Sequence, residues 1–117
     1  QQASDRWIEN WFFMIEGGMG KILALKKDDK FIGAIGLLVS PSLEDGVMNC
    51  VESFWYVDKN HRGQGLKLLI KAQKVAKEMG AKRMLMMYLE NSMPEKVKNV
   101  YERMDFKLIQ TTYFKEL

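Results

Sequence analysis

The sequence predicts an α/β (α+β) domain, a mixed sheet with helices on its faces and elements in the order α-β-β-β-α-β-α-β. Three features carry that prediction. Apolar residues recur at helical spacing over 4–16 and 66–79. Around these segments run Val-, Ile- and aromatic-rich stretches bounded by Gly, Pro, Asp and Ser, the composition of strands. The stretch over 47–57 then turns through glycines straight into the second helix, and a strand that follows such a crossover helix lies parallel to the one before it.

Ser4 to Glu16 opens the order. Trp7, Ile8, Trp11, Phe12 and Ile15 make a wide apolar face, which needs a large surface to pack on. Ser4 or Asp5 is placed to cap the start, and Gly17-Gly18 ends the helix. Lys21 to Lys27 and Phe31 to Ser40 are strands joined by Asp28-Asp29, a connection short enough for an antiparallel hairpin. Both are apolar on both faces at their centres, so both should be covered on both sides. Gly33 and Gly36 mark a bulge or a close approach to the backbone. In the loop PSLEDG, Glu44 and Asp45 are read as solvated charges.

Val47 to Val57 is the third strand. In the helix from Leu66 to Met79, Leu68, Ala72, Val75 and Met79 share one side, Lys67, Lys71, Lys74 and Lys77 take the other, and Gly80 is the stop. Arg83 to Leu89 is a continuous apolar run. Ser92-Met93-Pro94-Glu95 is a capping box for a short helix bearing Val97, Val100, Tyr101 and Met104. Phe106 to Leu117 closes the chain as one or two strands.

Between the third strand and the helix lies Asn60-His61-Arg62-Gly63-Gln64-Gly65. A strand that turns sharply into a helix exposes the free N–H groups of the first helical turn, which suit a phosphate or pyrophosphate. Gly63 and Gly65 let backbone approach the anion and tolerate positive φ, while Arg62 and Lys67 add positive charge. The plain alternative is a tight turn that happens to hold two glycines. A Walker loop and a dinucleotide fingerprint are both excluded, because neither pattern is present.

The 117 residues suffice for one domain with a single core. A net charge of +3 is too mild to argue for nucleic acid and favours an anionic ligand. The nine Met residues read as core and pocket lining, not as a metal site. A single cysteine, Cys50, excludes an internal disulfide framework and fits a reducing cytoplasm. No apolar run is long enough for a membrane span, and the start QQASDRW lacks the character of a secretory signal.

Arg62-Gly63-Gln64-Gly65-Leu66-Lys67 resembles the acetyl-CoA-binding segment of the GNAT (Gcn5-related) N-acetyltransferases, Gln/Arg-x-x-Gly-x-Gly/Ala, with Lys67 replacing the last small residue. Tyr56 to Gly63 is similar to the family's strand end and turn. Tyr101-Glu102-Arg103-Met104-Asp105-Phe106 is similar to its Tyr-Glu-Lys-Leu-Gly-Phe segment, with Asp105 where glycine is usual, and Thr112 to Leu117 resembles the ending of small phage and bacterial members. The resemblance covers nearly the whole chain. It implies a single GNAT-like acyl-CoA N-acyltransferase domain over 1–117, with a central mixed, mostly antiparallel sheet and helices on both faces. It also implies that the strand and helix usual ahead of 4–16 are absent; in the family these help form the acceptor side.

The implied reaction moves the acetyl group of acetyl-CoA to a primary amine of a small molecule or a protein, with no metal, nucleic acid or membrane partner. Backbone near Trp55, Tyr56 and Val57 would pair with the pantetheine arm. Amides of Arg62, Gly63, Gln64, Gly65, Leu66 and Lys67 would hold the pyrophosphate. Asn91 matches a position that often contacts CoA, its alternative being a plain turn residue. Tyr101 matches the usual general acid, and a phenol with a pKa of about 10 suits protonation of a leaving thiolate; its alternative is a core tyrosine. Glu52, acidic in an apolar strand, is the candidate base because burial raises a carboxyl pKa toward the range that accepts an amine proton. Its alternative is an edge carboxylate paired with a lysine, with water relaying the proton. His61 reads as a turn residue and Cys50 as a buried structural thiol.

Two other classes stand beside the enzyme. One is a catalytically degenerate GNAT-fold protein that binds CoA or regulates, pointed to by Lys67, by Asp105 and by the expected absence of the strand and helix usual ahead of 4–16. The other, ranked third, is a nucleic-acid module using the lysine face of the second helix, without the aromatic platforms such modules carry. The aromatic helix at 4–16 is a candidate homodimer surface.

Overall fold

The computed structural model describes residues 3–86, 99, 101–109, 113 and 115–117. They fall in two units, Gln1–Met87 and Tyr88–Leu117. In the first, α1 (Ala3–Glu16) leads to β1 (Gly20–Lys27), β2 (Lys30–Pro41) and β3 (Met48–Val57). A 3-10 stretch, Lys59–Gln64, then feeds α2 (Gly65–Glu78), and β4 (Arg83–Leu85) follows. The sheet order is β1-β2-β3-β4, antiparallel except for the β3–β4 pair, which is parallel as a crossover helix requires.

The expected hairpin forms. Lys27 pairs with Lys30, and Asp28 and Asp29 between them take φ of 51° and 64°, the left-handed pair that matches the twist of two-residue hairpins. Both helices end by one device. Gly18 (φ 78°) and Gly80 (φ 94°) supply the left-handed residue. At α2, Gly80 N–H donates to Lys77 O and Ala81 N–H to Ala76 O, each at 3.0 Å, recovering two carbonyls that would lack partners.

The core lies between the sheet and α2. Ile35, Leu37 and Val39 of β2 and Cys50 of β3 meet Leu68, Ala72, Val75 and Ala76 of α2. Lys67, Lys71, Lys74 and Lys77 stay exposed on the far side. On the opposite sheet face Trp11 is buried and meets the Phe54 ring edge-on, centroids 5.5 Å apart.

Three expectations need correction. The wide apolar face of α1 is not covered: Ile8, Phe12, Phe13 and Ile15 are exposed while Trp11 is buried. A single helix resting on one sheet corner covers only the stripe that touches it. Only β2 is covered on both faces; β1 is the sheet edge and is mostly exposed, because its outer side has no neighbouring strand among the described residues. Asp45 is not merely solvated: its two carboxylate oxygens accept from both Arg83 terminal nitrogens at 2.9 Å, and Arg83 Nε donates to Asn49 Oδ1 at 2.7 Å. The arginine holds the Asp45 carboxyl below its ordinary value, and the carboxylate raises the arginine in turn.

In the second unit, Asn99 and Tyr101 to Arg103 are helical. The helix stops as the others do, but with Asp105 at φ 66° in place of glycine; Asp105 N–H donates to Glu102 O and Phe106 N–H to Tyr101 O. Tyr101 is buried, with its ring 5.6 Å from that of Phe106, the apolar contact that accompanies this kind of stop. None of the described residues of 106–117 is in a strand, contrary to the expectation for that stretch. A strand needs a ladder partner, and Leu108 and Ile109 are exposed instead. The capping box at 92–95 and the end of the apolar run at 87–89 lie outside the described residues.

Candidate functional site

The site begins with unequal pairing along β3. On one side β2 accompanies it from Met48 to Val57. On the other, β4 pairs only Asn49, Cys50 and Val51, with Arg83, Met84 and Leu85. The Arg83 clamp on Asp45 and Asn49 sits where that short parallel ladder starts. Past Val51, residues 52–57 carry β3 beyond that short ladder toward the start of the next helix.

A bulge falls just beyond the end of the parallel ladder. Gly36 pairs with Phe54 but Leu37 with Glu52, so Ser53 is the extra residue. Gly36 is required there: a Cβ would come within 2.3 Å of the Phe54 ring and 2.8 Å of Trp11. Glu52, 6% exposed, is the buried charged residue among those described. Its cross-strand partner Leu37 belongs to the α2-side core, which places Glu52 on that face. Trp55 and Val57 pack against the same core, and Tyr56, opposite Ala34, is exposed.

The strand reaches α2 through the 3-10 stretch and not through a left-handed glycine turn. Gly63 and Gly65 are not among the residues with positive φ, correcting that part of the expectation. Successive right-handed turns carry the chain round, so the glycines serve space instead. A Cβ on Gly63 would meet nothing within 4 Å among the described residues, which leaves that side of the turn open to them. A Cβ on Gly65 would stand 3.5 Å from both Trp55 and Val57, so the start of α2 lies close against β3.

Gln64 precedes α2 without any side-chain cap bond, and no acidic residue lies in the first turn. No acidic side chain of that turn offsets the partial positive charge of this terminus. Leu66 and Lys67 are exposed in that turn, and the side chain of Arg62 is outside the described residues. An open glycine face beside an uncapped helix start fits a diphosphate. Among the described residues no three His, Cys, Asp or Glu side chains gather as a metal site would need.

The structure thus brings Trp55, Tyr56, Val57 and Gly63 to Lys67 together in the first unit, with Glu52 on the same strand. Tyr101 belongs to the second unit, and Asn91 lies outside the described residues. Burial pushes the Cys50 thiol up to about 11, so it is protonated at neutral pH and is no nucleophile. His61 is built into the turn: its N–H donates to Asp58 O at 2.8 Å. Sequence reasoning missed Asp58, whose Oδ1 accepts the Asn60 N–H at 3.4 Å. The available signal was an Asp immediately after a strand and before a helical turn, the usual cap position.

Known structures share the fold. A ribosomal-protein-alanine N-acetyltransferase from Brucella melitensis biovar Abortus 2308 superposes with a TM-score of 0.71 at 18% identity, covering 100% of this chain and 83% of that one. AAC(6')-Iy in complex with the bisubstrate analogue CoA-S-monomethyl-acetylneamine gives 0.78 at 13% identity, over 97% of this chain and 79% of that one. A transcriptional regulator from Bacillus halodurans C-125 gives 0.79 at 16% identity, over 96% and 75%. No curated protein sequence matches the chain. The profile of the Acetyltransferase (GNAT) family matches residues 1–106, spanning β3, the glycine turn and α2, and the chain belongs to that family.

Proposed function

We propose that the chain is an acetyl-CoA-dependent N-acetyltransferase that passes the acetyl group to a primary amine by direct attack. The observation that carries this reading is the junction of β3 with a helix start that has no side-chain cap, joined through Gly63, where a Cβ would meet no described atom within 4 Å. An extended pantetheine arm is assigned to the backbone of Trp55, Tyr56 and Val57, which it would meet as an added strand does. The diphosphate suits the amides from Arg62 to Lys67, with Lys67 adding charge. Asn91 is assigned a further CoA contact.

Acetyl-CoA supplies the activated thioester. Glu52, buried on β3, takes the proton of the incoming ammonium directly or through water. Tyr101 would give its phenolic proton to the sulfur as the C–S bond breaks and would be reprotonated by the proton the nitrogen loses as the amide forms. The acceptor is a small molecule or a protein amine; the named activity of the Brucella enzyme and the aminoglycoside-derived analogue bound to AAC(6')-Iy illustrate both kinds. The exposed Phe12 and Phe13 of α1 support a homodimer surface, and the buried, unpaired Cys50 supports a reducing, cytoplasmic setting.

A second reading, a GNAT-fold protein that binds CoA without turnover, is favoured by Lys67 and by the likeness to a transcriptional regulator. Calorimetry with acetyl-CoA tests the shared part: micromolar binding is expected, lost in Gly65→Asp. Thiol release with an amine panel then separates the two. Tyr101→Phe is expected to slow turnover by about 10²-fold or more with binding intact. Binding without any thiol release selects the second reading.

A further inference from the structure

We infer that Asp58 is the positioning residue of the anion turn, holding the 3-10 stretch so that the amides leading into α2 are presented to the diphosphate. The inference rests on the function proposed above. Asp58 is the first residue past β3 and is tied in three directions. Its N–H donates to Ile32 O at 2.6 Å, fastening the strand end to β2. Its carbonyl accepts the His61 N–H at 2.8 Å, closing the first turn of the stretch. Its Oδ1 accepts the Asn60 N–H, the bond an N-cap makes. The other oxygen, Oδ2, lies 3.8 Å from His61 Nδ1, a buried nitrogen with no hydrogen-bond partner among the described residues. At His61 itself the helical run kinks, with φ −130° and ψ 23°.

Two helical starts therefore follow one another. The first, at Lys59, is closed by the chain's own carboxylate. The second, at Gly65, has no side-chain cap and no acidic residue in its first turn. Capping the first fixes the path of the chain to the second. Because Asp58 is negative, simple electrostatics and positioning predict opposite outcomes. Removing a like charge near an anion should tighten binding, whereas releasing the turn should weaken it.

The test compares Asp58→Ala with Asp58→Asn in the full 117-residue chain. Asparagine keeps an oxygen for the Asn60 N–H; alanine keeps none. Amide hydrogen exchange over 59–66, read without ligand, is expected to quicken about fivefold in Asp58→Ala and to stay near wild type in Asp58→Asn. The acetyl-CoA Kd is expected to rise by about the same factor in Asp58→Ala and to be rescued in Asp58→Asn. Unchanged exchange in Asp58→Ala overturns the inference, as does tighter binding by that variant or failure of asparagine to rescue. A wild type that binds no acetyl-CoA instead overturns the proposed function. The exchange data alone then decide whether Asp58 holds the turn.

Discussion

Replacing Gly63 by alanine separates folding from binding, because the two effects have opposite signs. A Cβ at Gly63 meets no atom of the described residues within 4 Å, and the residue is not among those with positive φ. The methyl group therefore costs the folded state nothing while it restricts the unfolded chain, so stability rises by about 0.4–1 kcal/mol. The same open space is where an anion resting on the amides of 62–67 would lie. A methyl group there holds the anion off by about one carbon–carbon bond, ~1.5 Å. It stretches charge-assisted hydrogen bonds worth about 1.5–3 kcal/mol each. Losing one lowers affinity by about 10- to 150-fold. Thermal melts and calorimetric acetyl-CoA titrations on one preparation read both quantities. A variant that binds as tightly as wild type refutes the placing of the diphosphate. A variant that melts lower refutes the account of the turn.

Gly36→Ala should destabilise by about 1–3 kcal/mol, since the Phe54 ring must yield and Trp11 stands in its way; a urea midpoint unchanged from wild type would count against the packing described. Cys50, raised from 9.0 to about 11 by burial, contributes stability that is fully present below pH 9 and is lost as pH rises toward 11. The difference in urea midpoint between wild type and Cys50→Ala should therefore shrink over that range, and a constant difference would contradict the burial of the thiol. Asp105→Gly should stabilise by up to about 1 kcal/mol, because Asp105 holds φ 66° at a helix stop; denaturant melts that show a loss would exclude that geometry.

What the sequence revealed follows from how local each cause is. The hairpin at Asp28-Asp29, the stops at Gly18 and Gly80 and the crossover from β3 through α2 to β4 depend on near neighbours or on chain handedness, and each is visible in a few letters. The exposed face of α1 was not legible, because whether Phe12 and Phe13 find a surface depends on what lies across the sheet. The Arg83 clamp was hidden for a related reason: Asp45 and Arg83 are far apart along the chain and meet only through parallel pairing. In the turn, the glycine spacing suggested positive φ, which neither Gly63 nor Gly65 adopts. Periodicity cannot distinguish a glycine chosen for its φ from one chosen for the room it leaves.

Two single-residue departures from the family pattern carry different weight once their backbones are known. Asp105 stands where glycine is usual, yet it adopts the left-handed conformation for which glycine is favoured there, and the two closing hydrogen bonds to Glu102 and Tyr101 are made. Aspartate reaches that region at modest cost because its short side chain tolerates it. The helix stop and the Tyr101–Phe106 contact therefore survive the substitution. Lys67 is a different matter. It replaces a small residue in the first turn of α2, where its exposed side chain has freedom to swing toward an anion or across its path. Asp105 no longer separates an active transferase from a CoA-binding relative. The distinction now rests on Lys67, in a turn whose entry is capped by Asp58 and whose helix start is left uncapped.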